Sequence, residues 1–135
     1  MRFDLVDAVV DLGAERIVTL KHVTAGEEYL RDHFEGFPVL PGVLMLEAMV
    51  QAARRLAVRD RPGIRWVLGE VRALKYGHLV RPGDTLRVTV TLSGQDDQGL
   101  SFRGEGHVCG AGRPEPGVVA ASGRFGLRPL RGGLA

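Results

Sequence analysis

The amino-acid sequence predicts an α+β fold in which one antiparallel sheet wraps around a single long, buried helix. Three observations carry that expectation. One stretch of strong helix formers contains neither Gly nor Pro. Shorter runs on both sides of it alternate in polarity or are rich in β-branched residues, and turn residues separate those runs. An apolar helix has to be covered, and a sheet wrapped about it is the simplest arrangement that does so.

From Phe3 to Val23 the sequence reads as two β-rich runs, FDLVDAVVDL and RIVTLKHV, joined at Gly13-Ala14-Glu15, which suggests a hairpin. Residues 24–42 hold Gly26, Gly36, Gly42, Pro38 and Pro41, too many breakers for a regular element. From Val43 to about Val58 the residues VLMLEAMVQAARRLAV form the one long helix, apolar on nearly every face through its first three turns and so expected to be central. The remaining strands are WVLGEVRAL, DTLRVTVTLSG, LSFRGEGHVCG and GVVAASGRFGL. Arg81-Pro82-Gly83-Asp84 suits a type II turn, and the GRPEP stretch at 112–116 suits a hairpin loop.

With 135 residues, 44% hydrophobic and 25% charged, residues 1–135 are expected to form one domain with one core. The 18 basic and 16 acidic residues are mixed along the chain, which argues against nucleic acid as a partner. One local excess stands out, Arg54, Arg55, Arg59, Arg61 and Arg65. Two readings of it stay open: cations late in a helix that complement its dipole and keep the surface soluble, or a docking place for an acidic carrier protein or a pantetheine phosphate. Cys109 is the single cysteine, so no internal disulfide forms; a reducing cytoplasm fits, and Cys109 reads as a small packed residue. Asp4, Asp7 and Asp11 break up what a signal peptide would need as an apolar region. Glu47 and Gln51 interrupt the most apolar stretch, so no membrane is expected as a partner.

The chemistry concentrates in His33-Phe-Glu-Gly-Phe-Pro-Val-Leu-Pro-Gly-Val-Leu-Met-Leu-Glu47-Ala-Met-Val-Gln51. Glu47 and Gln51 are four apart and share a helix face amid apolar neighbours. Either Gln51 simply satisfies a buried carboxyl, or desolvation keeps that carboxyl protonated as a general acid. The helix begins at Pro41-Gly42-Val43 with no Ser, Thr, Asp or Asn to cap it. Its first N–H groups are left for an acyl carbonyl oxygen, with no side chain on Gly42 to block the approach, or for water. His33 lies just before a loop stiffened by prolines and glycines. His22, His78 and His107 lack such a setting, no pair has metal-site spacing, and neither metal nor cofactor is expected.

This segment resembles the FabA/FabZ-like β-hydroxyacyl-acyl-carrier-protein dehydratases, whose His-Phe-x-Gly-x-Pro-x-x-Pro-Gly-Val loop runs into a helix bearing Glu-Ala-x-x-Gln. Here those are HFEGFPVLPGV, with Phe34, Gly36, Pro38 and Pro41 at the fixed positions, and EAMVQ. The resemblance implies a hot-dog fold and an obligate homodimer, or a higher assembly of dimers, with His33 of one subunit facing Glu47 of the other. It implies an acyl carrier protein or CoA thioester as substrate. By that resemblance His33 takes the α-proton, Glu47 protonates the leaving β-hydroxyl, the N–H groups of Gly42 and Val43 hold the thioester oxygen, and Gln51 orients Glu47. Asp32 and Glu35 depart from the family's usual glycine and proline, and the sequence opens directly on its first β-rich run without the helical segment that precedes it in the family. Two other readings use the same fold: a hot-dog acyl thioesterase, which does not need His33, and a non-catalytic acyl-binding or heterodimer-forming subunit.

Overall fold

A computed structural model describes residues 4–24, 40–110 and 117–130. Among them run six strands and one helix: β1 (Ala8–Leu12), β2 (Arg16–His22), α1 (Gly42–Asp60), β3 (Trp66–Tyr76), β4 (Thr85–Asp96), β5 (Gly99–Cys109) and β6 (Val119–Pro129). The strands form one sheet in the order β1-β2-β4-β5-β6-β3, and every neighbouring pair is antiparallel. The expected arrangement of sheet around helix is what the chain adopts.

Helix α1 starts one residue before the expected Val43 and runs two past Val58, because no breaker stands before Pro62. It lies against the sheet through Met45, Ala48, Met49, Ala52, Ala53, Leu56 and Ala57, all buried. The sheet's inward face supplies Ile17, Leu86, Val88, Val90, Phe102, Phe125 and Leu127, and the rings of Phe102 and Phe125 stack at 5.6 Å. Close approach of helix to sheet depends on Gly104 of β5, where a Cβ would stand 2.8 Å from Sδ of Met49.

The first β-rich run is shorter as a strand than its pattern suggests. Leu5 and Val6 are buried ahead of β1, while all five β1 residues are exposed. The early apolar residues are used to reach the helix instead of extending the ladder. In the hairpin, Arg59 from the end of α1 donates to the carbonyls of Gly13 and Ala14, at 2.5 and 2.9 Å. Gly83 has φ +95°, and Asp84 N–H donates to the Arg81 carbonyl at 2.9 Å, as the Pro82-Gly83 turn requires. The 112–116 loop lies outside the described residues. Cys109 is buried and unpaired, a packed residue as expected.

Strand β3 departs from a closed core. It ends the sheet, and its inward side chains can be read from the ladder: Leu68 opposes Leu127, Val71 opposes Phe125 and Tyr76 opposes Ala121. Directly opposed residues share a face, so these three point to the same side as the core, yet they are 37%, 38% and 51% exposed. The helix covers β4 and β5 and, at the start of β3, the buried Trp66, but leaves Leu68, Val71 and Tyr76 further along β3 only partly covered. Val43 at the helix start is also uncovered, at 66%. The expectation that the early helix is enclosed on every side fails there, because one chain has too little sheet on the β3 side to surround it.

Candidate active site

The helix start is uncapped, as its sequence requires. Pro41 is extended at φ −58°, ψ 139° and makes no side-chain cap; its carbonyl accepts first from Leu44 N–H at 3.0 Å and then from Met45 N–H at 3.4 Å. Among the described residues the N–H groups of Gly42 and Val43 therefore meet no acceptor, and they carry the positive end of the helix dipole. The approach to this end is held in place because Leu40 N–H donates to the carbonyl of Val80, just beyond β3, at 2.8 Å.

Gly42 is not simply open to a ligand. The position its Cβ would take lies 2.9 Å from Cζ and 3.0 Å from Cε1 of Tyr76, so the phenol of the last β3 residue stands flat beside the first helical residue. The aromatic ring, not empty space, is what a side chain at position 42 would meet. Burial pushes the Tyr76 phenol above the ordinary value. Nothing in the local sequence pairs position 76 with position 42; the contact is created by β3 returning along the helix.

Further along α1, Gln51 Nε2 donates to Oε1 of Glu47 at 3.3 Å, and Gln51 Oε1 accepts from the N–H of Leu5 at 2.8 Å. The two side chains expected to share a helix face are hydrogen-bonded to each other. The surroundings of Glu47 differ from an apolar enclosure: its side chain is 39% exposed, and Nη1 of Arg54 lies 3.6 Å from the same Oε1. Glu47 is thus half-buried and paired, not sealed in an apolar pocket. Arg54 also donates from Nε to the carbonyl of Trp66, the first β3 residue, at 3.1 Å. Position 54 is seven beyond 47, two helical turns on the same face, a spacing that could have identified it as a site residue.

His33, Phe34, Gly36 and Pro38 lie outside the described residues, as do Asp32 and Glu35. The structure brings Pro41, Gly42, Val43, Glu47 and Gln51 together along one end of α1 and adds Tyr76 and Arg54. Of the other histidines, His22 Nδ1 is 2.8 Å from Oγ1 of Thr85, His78 Nδ1 is 2.8 Å from the Leu79 carbonyl, and His107 Nε2 is 3.7 Å from Glu105. Among the described residues no three of His, Cys, Asp and Glu cluster to hold a metal ion.

The sequence pattern of the ApeI-like family, described as ApeI dehydratase, matches residues 10–113. Of the curated relatives, a 3-hydroxyacyl-acyl-carrier-protein dehydratase FabZ of Oenococcus oeni is 47% identical over 91 residues, covering 65% of this chain and 66% of that protein. A FabZ of Legionella pneumophila is 37% identical over 113 residues, covering 78% of this chain and 75% of that one. The matched length is less of others, 57% of a FabZ of Lactobacillus helveticus. Among solved structures, the dehydratase heterocomplex ApeI:P of Xenorhabdus doucetiae superposes with a TM-score of 0.68 at 19% identity, over 94% of this chain and 99% of that one. A thioesterase superfamily member of Thermus thermophilus gives 0.68 at 20% identity, over 90% and 84%. At those identities the superpositions establish the hot-dog fold, while the sequence matches establish the lineage. This chain belongs to the FabA/FabZ-like hot-dog dehydratases, in the ApeI-like family.

Proposed function

We propose that the protein removes water from a 3-hydroxyacyl thioester, carried by an acyl carrier protein or CoA, to give the trans-2-enoyl thioester in fatty-acid or polyketide-type synthesis. The observation that carries the reading is a carboxyl held by Gln51 one turn from two acceptor-free N–H groups, inside the HFEGFPVLPGV and EAMVQ motifs. The reaction has three needs. The α-carbon is a weak acid, so a base must take its proton, and His33 is assigned that role. Charge then develops on the thioester oxygen, which the N–H groups of Gly42 and Val43 stabilise at the helix dipole's positive end. Hydroxide leaves poorly, so Glu47 protonates the departing β-oxygen, with Gln51 orienting it and the loop of Phe34, Gly36, Pro38 and Pro41 placing His33.

The reading includes a homodimer. Leu68, Val71 and Tyr76 form a partly uncovered apolar strip on an edge strand, and Glu47 is half-exposed in the single chain. A second copy laid there would cover the strip and enclose the carboxyl, completing the desolvation that one chain leaves partial. The reading also includes a reducing cytoplasm, which the single buried cysteine fits.

Purified protein given 3-hydroxyacyl thioesters of several lengths, on carrier protein and on CoA, should form the conjugated enoyl thioester, and His33→Ala and Glu47→Gln should each abolish that product. Release of free thiol would instead identify a thioesterase. Absence of turnover with every substrate would identify a binding subunit.

A further inference from the structure

The run of five arginines after the apolar half of α1 does not act as a uniform basic patch. Arg59 is occupied by the Gly13 and Ala14 carbonyls, while Arg54 turns back along the helix toward Glu47. Its guanidinium is anchored at Nε by the Trp66 carbonyl at 3.1 Å and brings Nη1 to 3.6 Å from Oε1 of Glu47. Gln51 Nε2 reaches that same oxygen at 3.3 Å. Both approaches converge on Oε1, and Oε2 meets no partner among the described residues.

We propose that Arg54 is a positioning residue for the Glu47 acid, a role that rests on the dehydratase reading above. The Gln51 donor and the nearby guanidinium both favour negative charge on Oε1 over a proton there, so the acidic proton resides on Oε2, the oxygen left to face the substrate. When Glu47 gives that proton to the departing β-hydroxyl, water leaves, the α-proton remains on His33, and a full negative charge appears on the carboxyl. Arg54 stabilises that charge as it forms. The ion pair is half-exposed in one chain, where such pairs contribute little to stability; its effect is instead concentrated in the step that creates the charge. The anchor to Trp66 matters because a guanidinium already fixed by the main chain need not be ordered when the charge develops. Arg54 touches no reacting atom and acts through Glu47 alone.

Steady-state kinetics of the full chain and two variants test this. Arg54→Gln should lower kcat about tenfold or more while KM stays within about twofold, since the lost interaction strengthens as the proton leaves. Arg54→Lys keeps a cation near Glu47 but loses the Nε donor to Trp66, and should recover only part of the lost kcat. A kcat for Arg54→Gln within twofold of the parent overturns the proposal, as does Arg54→Lys being as slow as Arg54→Gln, which would assign the residue to anchoring β3. Failure of the parent protein to dehydrate any substrate sinks the functional reading separately.

Discussion

The main-chain N–H of Leu5 donates to Oε1 of Gln51 at 2.8 Å, tying the segment ahead of β1 to a helix residue 46 positions later. Because the carbonyl end of the amide is committed to Leu5, its NH2 end has to face Glu47. A bond remote from the chemistry thereby fixes which way the orienting side chain points.

Two substitutions at position 51 should separate these functions. Gln51→Ala leaves the Leu5 N–H without its acceptor and Glu47 without one donor, so unfolding free energy should fall by about 1–2 kcal/mol and kcat by about tenfold. Gln51→Glu keeps an acceptor for Leu5 but places a second carboxyl beside Glu47. It should retain most of the stability measured by chemical denaturation while losing activity. Equal losses of stability in both variants would contradict the two-sided role.

Gly104 sets how closely α1 sits on the sheet. A methyl group there would lie 2.8 Å from Met49 Sδ and 3.3 Å from both Met49 Cγ and a ring carbon of Phe125, all in the buried core. Gly104→Ala should cost about 1–3 kcal/mol by overpacking, and Met49→Ala combined with it should cost less than the sum of the two single changes. Denaturation of the four proteins decides this, and strict additivity would show that Met49 does not receive the methyl.

Tyr76 should titrate above the ordinary phenol value because its partial burial against Gly42 favours its neutral form. The folded value is raised above the unfolded one. The associated stability is therefore complete below about pH 10 and is lost as pH rises through the raised folded value. In a Tyr29→Phe background, ultraviolet absorbance isolates Tyr76, the only other tyrosine. Ionisation at or below the value of a free phenol would contradict the ring's packing on Gly42, and Tyr76→Phe should flatten this part of the stability profile.

Much of the molecule was written locally and could be read locally. The helix was legible because sixteen consecutive residues avoid Gly and Pro, and the strands because their alternation is interrupted by recognisable turns, Pro82-Gly83 above all. The pairing of Glu47 with Gln51 was legible because helical periodicity alone puts i and i+4 side by side. What local pattern could not decide is how far the apolar face would be covered. The first three turns of α1 read as enclosed, yet the sheet ends at β3 and leaves Val43, Leu68, Val71 and Tyr76 exposed.

The sequence by itself determined the elements, the motif and the lineage, since each depends on neighbours within a few residues. Only the tertiary structure decided that Tyr76 would lie on Gly42, that Leu5 would fix the Gln51 amide and that Trp66 would anchor Arg54 beside Glu47. Two of these cross between strand and helix, and the third joins the segment ahead of β1 to the helix. Their existence depends on strand order and register, which arise from packing the whole sheet around α1 and leave no signature in any short stretch of the chain.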